Sequence, residues 1–198
     1  MDQVTEMGLT FAAETTHKPD DGDFVGSLTK LKESGCEIIV MALGVRQTIT
    51  AYATARKIGW MDAEFVSAAA GFHSVMAKVP GGVTEGLYAT AVWSDILPHV
   101  GNPVIGAWFK QYTQASGESL PSTGAVLGRL GAETLVRALE AAGRDLTPES
   151  FKTGLESLSY HDEITDSDID YSLNDHQGAD EVIASVIENG DWKEVMLK

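Results

Sequence analysis

Apolar and polar positions along the first half of the chain switch repeatedly between the period of a strand and the period of a helix. Residues 9–13 form a short apolar run that reads as a strand, and Asp20, Asp21 and Asp23 follow it. Carboxylates there supply a helix N-cap and the negative charge that a helix N-terminus favours. Phe24, Leu28 and Leu31 then recur at helical spacing on one face, with Gly35 where a terminating glycine belongs. Residues 38–43 are continuously apolar and rich in β-branched side chains, the pattern of a strand buried on both faces, and Gly44 closes the run. Residues 47–58 repeat the helical logic through Ile49, Tyr52, Ala53 and Arg56, stopping at Gly59. Residues 65–68 and 86–92 read as further strands, separated by a short helix or loop over 72–78 and the turn Pro80-Gly81-Gly82. Strands and helices alternating through short links imply right-handed crossovers and a parallel sheet covered on both faces. Ligands of such sheets sit beyond the carboxyl ends of the strands, here residues 14–17, 44–46 and 69–72.

After Trp93 the pattern changes. Asn102-Pro103 opens a helix whose apolar face carries Val104, Ala107, Trp108 and Tyr112, with proline at the first position, where its missing N–H costs least. Residues 122–142 carry the stripe Leu127, Leu130, Leu135 and Leu139 and end at Gly143. Thr147-Pro148-Glu149-Ser150 then caps a third helix bearing Phe151, Leu155 and Leu158. Three apolar stripes in succession must bury against something, and this stretch offers no sheet to receive them. Residues 181–187 and 192–196 flank Asn189-Gly190, a strong hairpin signal, so the chain is expected to end as a two-stranded ribbon.

Composition narrows the function classes. The chain has 198 residues, with 14 Lys+Arg against 29 Asp+Glu and a formal charge of −15. That charge repels a phosphate backbone, so nucleic acid is excluded as the expected partner. No apolar run approaches the roughly 18 residues of a membrane span. Met1 is followed by Asp2, Gln3, Val4, Thr5 and Glu6, which has neither the basic start nor the apolar middle of a secretory signal. Cys36, the single cysteine, forms no internal disulfide and is expected to pack as a small hydrophobe.

Motifs for common chemistries do not occur. Gly124, Gly128 and Gly131 lie inside a helical pattern rather than at a strand-to-helix turn, so they read as close helix packing and not as a dinucleotide fingerprint. No Walker-type loop, Gly-x-Ser-x-Gly elbow or His-Glu-x-x-His helix is present. Asp166, Asp168 and Asp170 have calcium-loop alternation, yet Tyr171 and Gln177 occupy the positions that need Gly and Glu. These acids read as a solvated loop bending towards His161 and His176. None of the five histidines pairs with another or with Cys36 at zinc spacing, so neither metal nor cofactor is expected. His73 and Arg46, just past strand ends, could face a ligand, the guanidinium by forking onto a carboxylate. Trp93, where the α/β half hands over to the helices, either lines a cleft or packs.

Several segments in this order resemble the extracellular solute-binding proteins of ABC transporters, of the branched-chain amino-acid-binding type with two α/β lobes. They are residues 23–28 (DFVGSL) through Lys32, 38–42 (IIVMA), 53–60 (ATARKIGW), 85–88 (EGLY), 138–143 (ALEAAG), 174–178 (NDHQG) and 189–192 (NGDW). The resemblance implies a type I periplasmic-binding-protein-like α/β fold. It assigns residues 1–93 to the second lobe, 94–160 to helices of the first lobe and 161–198 to a return to the second. The first lobe's N-terminal sheet and the second lobe's opening strand are missing on this template, and that opening strand would sit inside the sheet. Self-association into a homo-oligomer is one way to complete such a sheet.

The family places an aromatic after the strand that here ends at Leu43, and an acid after the strand that here ends near Ala68. Gly44 or Val45 and Ala69 or Ala70 stand there instead. A ligand site of Gly44, Val45, Arg46, Ala69, Ala70, Phe72 and Trp93 then suits an anionic or neutral solute, such as an aromatic acid or amide, better than an α-amino acid. The function implied is capture of a small organic solute, amino acid included, for a membrane permease, outside the cytoplasm and without catalysis. A ligand-sensing receptor of the same fold and a remnant without binding are the alternatives.

Overall fold

In a computed structural model, residues 2–196 are described. The chain divides into two compact units, one of residues 1–90 with 185–193 and the other of residues 91–184 with 194–198. No helix among the described residues is long and apolar enough to cross a membrane.

The first unit opens with the short helix α1 (Asp2–Glu6) and is built on a five-stranded sheet. Its strands are β1 (Ile38–Met41), β2 (Glu64–Ser67), β3 (Tyr88–Ala91), β6 (Ile183–Glu188) and β7 (Asp191–Val195), in spatial order β1-β2-β3-β6-β7. β1 runs parallel to β2 with Ile39 opposite Phe65, and β2 parallel to β3 with Val66 opposite Tyr88. Helix α2 (Val25–Glu33) has Phe24 rather than an aspartate at its N-cap, and the Asp23 carboxylate just before it accepts the Val25 N–H at 2.9 Å. Helix α3 (Val45–Lys57) follows β1, and the four-residue helix α4 (Ser74–Ala77) follows β2.

The core of this unit lies around Tyr52, Phe65, Met76, Leu87 and Ile187, each fully or almost fully buried. Phe65 packs edge-on against both Tyr52 and Trp60, with ring centroids 5.4 Å apart in each case. Arg56 covers the Tyr52 ring at 4.6 Å and donates to its hydroxyl, which itself donates to the Glu85 carbonyl at 2.8 Å.

Three expectations are corrected here. Residues 9–13 form no strand; they are irregular, with Leu9 and Phe11 exposed, because no neighbouring strand pairs with them. β1 is not buried on both faces: Ile39 and Met41 are buried, whereas Ile38 and Val40 are 66% and 68% exposed on a strand with one neighbour. The terminal hairpin is no separate ribbon, since β6 joins the sheet beside β3. Its turn follows expectation, with Asn189 and Gly190 both at positive φ, the conformation a tight two-residue hairpin needs.

The second unit contains α5 (Pro103–Ser116), α6 (Thr123–Ala142), α7 (Pro148–Glu156) and an antiparallel pair, β4 (Ser159–Asp162) with β5 (Ser167–Asp170). All three helices have a side-chain N-cap. Asn102 Oδ1 accepts from Val104, Ser122 Oγ from Ala125, and Thr147 and Ser150 form a reciprocal capping box.

The β4–β5 pair has no counterpart in the sequence reading, and it ties residues 159–170 to α6. Arg129 of α6 pairs with the buried Asp162, Thr134 and Tyr160 share a hydroxyl hydrogen bond of 2.8 Å, and Arg137 lies 4.3 Å over the Tyr160 ring. Residues 161–184 lie in the same compact unit as these helices.

Candidate functional site

The carboxyl ends of β1 and β2 bring two loops side by side. After β1 the chain turns at Gly44 directly into α3, whose N-cap has no side-chain hydrogen bond. Glycine at the N-cap has no side chain to cap the first N–H groups of α3, which stand at the positive end of the helix dipole. After β2, Ala69–Gly71 forms a single 3₁₀ turn.

Gly71 explains how closely the loops approach. A Cβ there would lie 2.1 Å from Ser67 Oγ, 2.7 Å from Thr48 Oγ1 and 3.2 Å from the Leu43 carbonyl. Thr48 Oγ1 in turn donates to that carbonyl at 3.3 Å, tying the start of α3 to the end of β1. The side-chain amide of Gln47 donates to the carbonyl of Pro19, which fastens the loop preceding α2 to the same helix end. Thr48, Ser67 and Gln47 are all buried polar groups that periodicity did not single out. The signal available was their position at strand ends beside small residues.

Each candidate residue can now be placed. Gly44 and Val45 are partly exposed at the start of α3, and Arg46 is exposed beside them. Ala69 is partly exposed and Ala70 exposed on the neighbouring turn. Phe72 is buried, its ring 4.9 Å from that of Trp192. His73 caps α4, its Nδ1 accepting the Val75 N–H at 2.9 Å, and its carbonyl accepts from Trp192 Nε1 at 3.0 Å. β7 thus pins the end of this loop, reinforced by the ion pair of Lys78 with Asp191. Trp93 belongs to the second unit, where it is 8% exposed. The structure brings Gly44, Val45 and Arg46 together with Ala69 and Ala70, backed by Thr48 and Ser67.

The acidic loop of the second unit is a local hydrogen-bonded structure. His161 Nδ1 bonds Asp168 at 2.8 Å, and its Nε2 lies 3.4 Å from Asp166. The Asp168 hydrogen bond, aided by the surrounding acids, raises the His161 pKa above its ordinary value. His176 bonds Glu156 rather than the aspartates. Burial of Asp162 opposes its charge, but the N–H of Thr165 and the Arg129 guanidinium outweigh burial and hold its pKa below the ordinary value. No group of three or more His, Cys, Asp or Glu among the described residues could hold a metal ion.

Comparisons place this geometry among solved structures. A leucine-binding protein from Thermotoga maritima superposes with a TM-score of 0.75 at 18% identity, covering 98% of this chain and 53% of that one. A branched-chain amino acid ABC transporter protein from Thermus thermophilus with bound valine gives 0.81 at 16% identity, covering 98% and 54%. A solute-binding protein from R. palustris in complex with benzoate gives 0.76 at 13% identity, covering 98% and 52%. The chain thus spans about half the length of the structures it matches. A search of curated proteins finds no match. The periplasmic binding protein family model matches residues 1–191, and the chain belongs to that family.

Proposed function

We propose that this chain is part of the solute-binding receptor of an ABC transporter, working outside the cytoplasm, capturing a small organic solute and passing it to a membrane permease without chemistry. The observation that carries this reading is the pair of loops at residues 44–46 and 69–71, packed together at the carboxyl ends of β1 and β2 in a chain of this family. That is where an open α/β sheet receives its ligand.

The chemistry of the loops selects the solute class. Arg46 and the uncapped start of α3 offer cationic and N–H donors, and Gly44, Ala69 and Ala70 leave room. No carboxylate occurs in either loop to grip an ammonium group. A small carboxylic acid fits this donor set, and an aromatic acid such as the benzoate held by the R. palustris relative is the leading candidate.

The test is calorimetric titration of the purified chain with benzoate, benzamide, valine and leucine. Benzoate is expected to bind, and Arg46→Ala to weaken it by about tenfold to a hundredfold, the value of a charge-assisted hydrogen bond. Binding of valine or leucine in preference to benzoate, or benzoate binding indifferent to Arg46→Ala, would overturn the assignment. Trp93→Ala and Phe72→Ala, measured in the same titration, decide whether either ring contributes.

A further inference from the structure

Residues 69–71, the second of the two solute loops, owe little of their shape to themselves. They form one 3₁₀ turn, closed by the Gly71 N–H on the Ala68 carbonyl at 2.9 Å and the Phe72 N–H on the Ala69 carbonyl at 3.1 Å. A turn that short has little stability of its own, so what holds its two ends sets its position. At the upstream end the Ala68 N–H donates to the Met41 carbonyl of β1 at 2.9 Å.

The downstream end is held from much further away. Trp192 stands on β7, 119 positions from His73 in sequence, with β3 and β6 between β7 and β2 in the sheet. It is buried, its ring lies 4.9 Å from that of the buried Phe72, and its Nε1–H donates to the His73 carbonyl at 3.0 Å. The same carbonyl accepts the Met76 N–H of α4 at 2.9 Å. Phe72 and His73 directly follow Gly71. An indole joins a large apolar face to a single N–H donor, so one side chain both packs on Phe72 and bonds the next backbone carbonyl. The turn of the same hairpin is fixed to the support of the first loop. The Glu85 carboxylate accepts the N–H groups of Asn189 and Gly190, and the Glu85 carbonyl accepts the Tyr52 hydroxyl of α3 at 2.8 Å.

We propose that Trp192 is a positioning residue of the solute site: it fixes Phe72 and His73, and through them the place of Ala69 and Ala70, without touching the solute. The inference rests on the reading of residues 69–71 as a solute loop. It makes the chain's terminal hairpin part of what sets solute affinity.

The experiment compares the parent chain with Trp192→Phe, which keeps a ring against Phe72 and removes the N–H. It reads backbone amide hydrogen exchange without solute, and calorimetric titration with benzoate, benzamide, valine and leucine. The amides of Gly71, Phe72 and Met76 are expected to exchange about threefold to tenfold faster, the factor for one neutral hydrogen bond, with those of Thr48 and Ala68 unchanged. Affinity for whichever solute the parent binds is expected to fall by a similar factor. Phe72→Leu attacks the same contact from the loop side and carries the same expectation, so the test survives a failure of Trp192→Phe to melt cooperatively. Lys193→Ala removes the exposed ion pair with Glu188 beside Trp192 and is expected to change neither readout. Unchanged exchange at Gly71 and Phe72 overturns the proposal, as does acceleration shared equally by Thr48 and Ala68, or a loosened loop with undiminished affinity. A parent chain that binds none of the four solutes counts against the solute reading instead, and exchange at Gly71 and Phe72 then decides whether Trp192 holds the loop.

Discussion

The sheet unit and the helical unit bury their apolar residues to very different extents. In the first, Tyr52, Phe65, Met76 and Leu87 have almost no exposure. In the second, α6 runs for 20 residues and buries Val126 and Ala138, while Leu135, Val136 and Leu139 of the same helix remain exposed. A groove of about 430 Å³ opens along this helix, lined by Leu127, Leu130, Leu135, Phe151, Leu155 and Ile169. The stripe that predicted a helix is correct, but the layer it needs is not among the described residues. What holds the second unit is a small core of Ile96, Ile105, Val126 and Ile164, close helix contact and the polar ties from α6 to β4. An amphipathic helix can thus be held by its less apolar side. The comparison teaches that amphipathicity states a need for burial without showing that the need is met.

The contrast can be tested by substitution. Phe65→Ala in the sheet unit removes a fully buried ring that contacts two others, and a loss of about 3–5 kcal/mol is expected by denaturant unfolding. In the helical unit the largest effect is expected from a much smaller change. A Cβ on Gly154 of α7 would lie 2.6 Å from the Ala138 carbonyl and 2.9 Å from the Ala142 nitrogen of α6, both backbone atoms. Gly154→Ala should force the helices apart at a cost of about 1–3 kcal/mol.

Asp162→Asn should cost about as much, because the buried carboxylate accepts the N–H groups of Ile164 and Thr165 and pairs with Arg129. Its depressed pKa carries a pH signature. The stabilisation is present above the unfolded value near about 3.9 and is lost as pH falls through the folded value. Acid unfolding of Asp162→Asn should therefore be shallower than that of the parent chain.

Smaller still is the contribution of His161, which is half exposed and has a raised pKa. Its stabilisation is complete below the unfolded value near about 6.5 and is lost as pH rises through the folded value. An NMR titration should place its midpoint above that of a free histidine, and Asp168→Asn should bring it down. Leu135→Ser should change stability by no more than about 0.5 kcal/mol, since half of the side chain already meets solvent. A loss as large as that of Phe65→Ala would mean that the α6 stripe is covered in solution.

Local features were legible. Helices α2, α3, α5, α6 and α7 lie within a few residues of their predicted bounds, because the spacing of Phe24 and Leu28 or the caps at Asn102, Ser122 and Thr147 act within one or two turns of chain. Strands β1, β2 and β3 and the Asn189-Gly190 turn were visible for the same reason. The loops of the candidate site were legible from strand order, through the rule that ligands sit at strand carboxyl ends. Their backing was not: nothing local announces that Gly71 must meet Thr48, 23 positions away in sequence. β4 and β5 were also missed, because Ser-Tyr-His-Asp and Ser-Asp-Ile-Asp lack apolar alternation and their place is set by Arg129 and Thr134 of α6.

The sequence by itself determined which segments are helices, where they stop, and that strands and helices alternate as in a solute-binding fold. Tertiary structure decided that residues 9–13 stay out of the sheet, that Ile38 and Val40 face solvent, that β6 joins β3, and that the α6 stripe is left open. The physical reason is that periodicity and capping are settled among neighbours in the chain, whereas burial and strand pairing depend on what lies alongside in space.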